Sequence, residues 1–99
     1  MRPEQLHRLT VLAAVADAGG LSAAARRLGV AKSSLSHHVA ELEREIGAKV
    51  LTRAGRGVAL TPVGEALAGH GRAILREAEA AAATAREIEQ PRGRLRLSM

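Results

Sequence analysis

Ninety-nine residues give room for one small domain and little more. The chain has no cysteine, which excludes disulfides, a thiol nucleophile and cysteine-based zinc or iron–sulfur sites. It also lacks Phe, Trp and Tyr, the stacking platforms of single-stranded nucleic-acid binders and of most sequence-specific RNA modules, while Lys and Arg exceed Asp and Glu by 15 to 10. A net charge of +5 points to a polyanion, and without base stacking the expected partner is duplex nucleic acid read through its grooves and phosphates. No apolar run reaches the roughly 20 residues of a membrane span, and the N-terminus lacks a signal-peptide core, so a soluble, cytoplasmic chain is expected.

The first helix is predicted over Pro3 to Ala18, with Leu6, Leu9, Ala13 and Ala16 on one face. Gly19-Gly20 ends it, and Ser22 is the expected N-cap of a short second helix, Ala23 to Leu28. After Gly29, a third helix starts near Lys32–Ser34 and runs to Ile46, carrying the apolar stripe Leu35, Val39, Leu42 and Ile46. Beyond Gly47 the period changes. Val50-Leu51 and Val58-Ala59-Leu60 flank Arg53-Ala54-Gly55-Arg56-Gly57, a pattern for a two-stranded hairpin with a basic, glycine-containing tip. Thr61 then caps a last helix with Pro62 at its first position and Glu65 in its first turn.

That helix meets no proline until Pro91, so it is predicted to run about 28 residues, or about 42 Å at 1.5 Å per residue. Leu67, Gly71, Ile74, Ala78, Ala81, Ala85 and Ile88 alternate spacings of four and three, a heptad seam lined mainly by small residues. A lone helix of this length has no core of its own to lie on, so pairing with a second copy is expected to bury the seam. Residues 62–90 are net acidic, three Arg against five Glu, and lack aromatic anchors, which argues against a membrane surface. The basic excess lies in residues 1–61, nine against five, and in three arginines of the tail.

Ser22 to Gly47, SAAARRLGVAKSSLSHHVAELEREIG, has the form of a helix-turn-helix. Ala24 and Ala25 permit a close crossing, and Leu28, Val30, Leu35 and Val39 are the expected shared core. The third helix would then offer Lys32, Ser33, Ser34, Ser36 and His37 to a major groove. Arg53 and Arg56 on the adjoining hairpin are candidates for phosphate or minor-groove contact, making the unit a winged helix. The competing readings are a solvated polar face for the helix residues and a mobile surface hairpin kept soluble by arginine for Arg53 and Arg56.

From Leu9 to Gly64 the chain resembles the N-terminal DNA-binding domain of the LysR-type transcriptional regulators. The resemblance rests on Ser36, Leu42-Glu43, Gly47, Arg53, Arg56, Leu60-Thr61 and Gly64, which agree in order and spacing. It implies that the long helix is a dimerising linker and that GRLRLSM begins a ligand-sensing domain, so that this chain is the front third of a longer regulator. It further implies a small-molecule inducer acting through that following domain, and leaves pairing of dimers into tetramers open. Three positions where the family usually has Phe are Leu12, Leu21 and Leu51, and the usual Ser-Gln-Pro opening the recognition helix is Ala31-Lys32-Ser33.

Nothing in the pattern supports catalysis, a cofactor or a metal. Adjacent His37 and His38 diverge by about 100° on a helix, His7 and His70 lie on other helices, and no nucleophile elbow frames a serine. The expected fold is mainly α: a winged helix-turn-helix over 1–61, a dimerisation helix over 62–90, and a hinge with the start of a further domain over 91–99. The expected function is sequence-specific binding of duplex DNA, at an inverted repeat and as a homodimer, to regulate transcription. A nonspecific architectural duplex binder and a helical protein-interaction module are the alternatives.

Overall fold

The computed structural model describes residues 1–89. The hinge and the start of a further domain expected over 91–99 lie outside the described residues. The order of elements is α1 (Pro3–Ala18), α2 (Leu21–Leu28), α3 (Lys32–Ile46), β1 (Leu51–Ala54), β2 (Gly57–Leu60) and α4 (Pro62–Glu89).

α1 opens with Pro3 at its first position, where a missing N–H costs nothing, and the Gln5 side chain accepts a 2.7 Å bond from the Arg2 backbone N–H. It closes at Gly19, whose φ of 91° suits a residue without Cβ. The chain then bends by 108° into α2. Ser22 does not cap this helix. Gly20 is extended and its carbonyl already accepts the Ala24 N–H at 3.1 Å, so the helix starts at Leu21 and Ser22 falls inside its first turn. Gly29, at φ 71°, ends α2 by donating to the Ala25 carbonyl at 2.9 Å, and α3 begins three residues later at Lys32.

Ala24 and Ala25 are buried and allow the close crossing expected of them. Leu28 and Val30 are not shared core. They stand 49% and 45% exposed because they occupy the end of a two-turn helix and the turn that leaves the crossing. Leu35, Val39 and Leu42 are buried along α3, whereas Ile46, in its last turn, is 39% exposed.

The core is aliphatic throughout, with Leu12, Val15, Leu42 and Val50 its largest fully buried side chains. Leu12 lies within this cluster, and Leu21 and Leu51 pack against it. α1 is its axis and is buried on two sides. The predicted stripe of Leu9 and Ala13 faces α4, while Val11, Leu12 and Val15 bury the remaining face among residues of α2, α3 and Val50. Leu6, at the outer end of the predicted stripe, is half exposed.

α4 does have a core of its own to lie on. Gly64, Ala68 and Gly71 are buried at i, i+4 and i+7. A Cβ on Gly71 would collide with the Leu9 carbonyl oxygen and stand 3.1 Å from the Ala13 Cβ, so here α4 rests directly on the α1 backbone. Gly71 is therefore spent inside the chain rather than in a seam between copies. Arg72 ties the same contact from its flank, donating from Nε and an η nitrogen to Asp17 Oδ1 at 3.1 and 3.0 Å. Among the described residues no single helix is long and apolar enough to cross a membrane.

Candidate nucleic-acid interface

Three elements converge on one face. β1 and β2 pair antiparallel with Leu51 opposite Leu60 and Arg53 opposite Val58, around a two-residue turn of Gly55, at φ 59°, and Arg56. Directly opposed residues share a face, so Arg53 stands on the side of the hairpin that carries Leu51, Val58 and Leu60. The hairpin approaches the start of α2 closely enough that a Cβ on Gly57 would sit 3.1 Å from the Gly19 carbonyl oxygen.

Between hairpin, α2 and α3 lies an open cleft of about 560 Å³ whose charged lining is Arg26, Lys32, Lys49, Arg53 and Arg56 against the single carboxylate of Glu43. Lys32, Arg53 and Arg56, three of the seven predicted contact residues, are thus brought to one cleft. Ser33, Ser34 and His37 are exposed on α3 but do not line the cleft, and Ser36 is half-buried. With 100° per residue, Ser33 and His37 share the outward strip of α3 with the exposed Ala40 and Arg44, one step around from Lys32. The interface is therefore an outward helical strip beside a basic cleft.

α3 begins without a side-chain cap. Ala31 is extended and its carbonyl accepts from the N–H groups of Ser34 and Leu35 at 3.1 and 3.4 Å, so neither Ser33 nor Ser34 takes the capping role.

Lys49 escapes a reading by spacing, and spacing gives neither Arg26 nor Glu43 its place in the cleft. An exposed arginine on a short helix and a lysine in a loop are ordinary in sequence, and only the folding of α2 and of the loop after α3 brings Arg26 and Lys49 to the cleft that Lys32 also lines. Glu43 Oε2 accepts from the backbone N–H of Val50 at 2.9 Å and of Leu51 at 3.4 Å, and Oε1 stands 3.6 Å from Lys49 Nζ. Thr61 completes the junction. Its hydroxyl donates to the Lys49 carbonyl at 2.6 Å and accepts from the Gly64 N–H at 3.1 Å, the N-cap bond expected for α4, and its own N–H donates to the Val50 carbonyl at 3.1 Å.

Behind the interface, His7 of α1 meets His38 edge to face with ring centroids 4.8 Å apart, and His37 lies 5.9 Å from His38. His38 Nδ1 is buried without a hydrogen-bond partner. Burial first, then the charges of His7, His37 and Arg8, hold the His38 pKa below its ordinary 6.5. An edge aimed at a ring face is not a pair of converging lone pairs, and no group of three or more His, Asp or Glu among the described residues is placed to hold a metal ion.

Of the predicted seam, Ala78, Ala81, Ala85 and Ile88 are exposed, Ile88 at 74%, while Leu67 and Ile74 are half-buried and pack against the core. Leu67 and Ile74 also border an apolar groove of about 520 Å³ between α1 and α4, together with Leu6, Leu9 and Ala73, with His70 and Glu77 at its edge.

Residues 6–65 match the family of bacterial regulatory helix-turn-helix proteins called lysR. The chain is similar to the small neutral protease regulatory protein of Streptomyces coelicolor, 42% identical over 86 residues that make up 80% of this chain and 26% of that protein. It is also similar to the HTH-type transcriptional regulator PtxR of Pseudomonas aeruginosa, 38% identical over 94 residues, 94% of this chain and 30% of that one. The chain thus spans between a quarter and a third of these relatives. Among solved structures it resembles the DNA-binding domain of CbnR in complex with DNA, with a TM-score of 0.69 and 33% identity over 85% of this chain and 97% of that one. The DNA-binding domain of BenM bound to its catB site 1 DNA gives a TM-score of 0.74 at 27% identity, over 85% of this chain and 94% of that one.

Proposed function

The chain belongs to the LysR family of bacterial regulatory helix-turn-helix proteins, and from that premise we propose that it binds duplex DNA sequence-specifically, as a homodimer, to regulate transcription. The observation that carries the reading is the juxtaposition of the outward strip of α3 with a cleft walled by five cations and one carboxylate. A protruding helix beside a flanking positive hairpin is the geometry that reads a major groove while holding the adjacent backbone.

In this reading Ser33, Ser34, Ser36 and His37 reach base edges and phosphates from α3, and the uncapped start of that helix draws a phosphate. Lys32 selects guanine O6 and N7 or a phosphate, where a glutamine would pair with adenine. Arg53 and Arg56 reach the flanking minor groove or its backbone, and Arg26 and Lys49 add phosphate contacts. Residues 1–61 form the reading unit, 62–90 the dimerisation helix, and 91–99 the hinge toward an effector domain through which a small-molecule inducer acts. The dimer buries Leu67, Ile74, Ala78, Ala81, Ala85 and Ile88, and the apolar groove continuous with Leu67 and Ile74 supports it. The chain is a regulator rather than an enzyme, needs no cofactor, and acts in the cytoplasm where its DNA is.

Selection of duplexes from a randomised pool tests the reading. Enrichment of an inverted repeat is expected, with a half-site spacing set by the dimer. A bound pool that stays random would leave a nonspecific binder and defeat the proposal.

A further inference from the structure

Glu43 accepts nearly every hydrogen bond offered by the segment that leads into the hairpin. Its backbone carbonyl takes the N–H groups of Gly47 at 2.8 Å and Ala48 at 3.3 Å, and its carboxylate takes those of Val50 and Leu51. Four of the five backbone donors from Gly47 to Leu51 therefore end on one residue of α3. The fifth residue, Lys49, sends its ammonium to the same carboxylate. On the other side, the carbonyls of Lys49 and Val50 are held by Thr61 at the start of α4. The hairpin root is thus clamped twice, to α3 by Glu43 and to α4 by Thr61.

From this geometry we infer that Glu43 is a positioning residue for DNA recognition, fixing the angle between the hairpin and α3 and hence the distance from the Ser33–His37 strip to Arg53 and Arg56. The inference rests on the proposed reading that these two groups contact one duplex. Beyond Leu51 the hairpin reaches about 13 Å at about 3.3 Å per residue. A tilt of about 15° at the root would move its tip about 3 Å, enough to break any hydrogen bond made there. Removing the Glu43 side chain leaves the hairpin paired, anchored to Thr61 and tied through Gly47 and Ala48 to the Glu43 backbone carbonyl, and loses the two bonds that hold Val50 and Leu51 at a fixed angle to α3. The role is one of reach, not of charge, because a carboxylate among five cations opposes a polyanion.

Two substitutions separate reach from charge. Glu43→Gln keeps an acceptor oxygen at the same reach without the charge, and Glu43→Asp keeps the charge but withdraws it by one methylene. The chain has no cysteine, so Ala40→Cys with Arg56→Cys gives one spin-label pair per copy between α3 and the hairpin tip, and diluting the labelled chain in excess unlabelled cysteine-free chain leaves only distances within one copy. Without DNA, pulsed dipolar distances should be narrow in the parent and in Glu43→Gln, and broadened in Glu43→Asp and Glu43→Ala. With the duplex enriched by the parent chain as probe, unlabelled Glu43→Asp and Glu43→Ala should bind about tenfold more weakly, and Glu43→Gln within about threefold. Combined with Arg53→Ala and Arg56→Ala, Glu43→Asp should cost less than twofold more, because a residue acting through the hairpin has nothing left to position. Unchanged distances in Glu43→Asp, or losses that add in full to those of the arginines, would overturn the inference. Should Glu43→Ala unfold at the assay temperature, Glu43→Asp decides alone. A parent chain that selects no duplex defeats the proposed function instead, and the DNA-free distances still judge the clamp.

Discussion

Gly69 and Gly71 lie two residues apart on α4 and invite the same substitution with opposite results. A Cβ on Gly69 meets nothing within 4 Å, so Gly69→Ala should gain the helix propensity that glycine lacks, about 0.8–1 kcal/mol. A Cβ on Gly71 would meet the Leu9 carbonyl oxygen well inside contact and the Ala13 Cβ at 3.1 Å. A backbone carbonyl cannot rotate aside as a side chain does, so α4 must shift off α1, an overpacking cost near the upper end of about 1–3 kcal/mol. Subtracting the propensity gain leaves Gly71→Ala destabilised by about 1–2 kcal/mol. For a chain this size about 1 kcal/mol moves the melting temperature by about 4–8 °C, so Gly71→Ala should melt about 5–15 °C below the parent and Gly69→Ala about 4–8 °C above it. Circular dichroism melts at one fixed chain concentration read both, since self-association would otherwise move the midpoint. If Gly71→Ala melts at or above the parent, the close contact of α4 with α1 does not exist in solution, and Gly71 returns to a seam between copies.

Leu12→Ala, at a fully buried site facing the helix-turn-helix, should cost about 2–5 kcal/mol, measured by urea unfolding. His38 is held below its ordinary pKa when folded, so the unfolded chain takes up this proton first. Stability should accordingly be flat above pH 6.5 and fall as the pH drops through 6.5 toward the lower folded value, and His38→Gln should weaken that acid-side fall in denaturation midpoints. Duplex affinity should drop about 10³–10⁵-fold between 50 and 200 mM salt if a dimer neutralises 6–10 phosphates, and Arg56→Ala in each copy should make the salt slope shallower. Lys32→Gln should change the base enriched at one position of the selected site, and an unaltered site would refute a base-reading role.

The helix boundaries were legible because glycine and proline punctuate them. Gly19, Gly29 and Gly47 all take positive φ at helix ends, where a side chain would be strained. Thr61 also caps as its type and place suggest. Ser22 misled because capping preference says which residue suits a helix start, not where tertiary packing puts that start, and Gly20 supplied the carbonyl first. Periodicity found one stripe on α1 and missed Val11, Leu12 and Val15, since an axial helix covered on two sides has no single face. The same limit hid the intramolecular use of Gly71, whose heptad position fits a partner helix as well as it fits α1. At the candidate interface, Lys32, Arg53 and Arg56 were findable from their motif, whereas Arg26 could equally be an ordinary surface arginine, Glu43 carried only a resemblance, and Lys49 carried nothing until the fold brought the loop after α3 back against that helix.

Small residues where α4 crosses α1 have a mechanical meaning. With backbone on backbone at Gly71, the crossing has little compliance at that point, and α4 is a stiff beam fixed to the reading head. Its largely exposed part from Arg76 to Glu89 is about 21 Å long and lies beyond that mount. Two copies joined through such beams would hold their heads at one separation and one twist, without the slack of a jointed linker. Inserting a single base pair between half-sites moves them about 3.4 Å apart and turns one against the other by about 35°. A rigid mount turns that small error into the loss of one whole half-site, so spacing would be read as sharply as sequence.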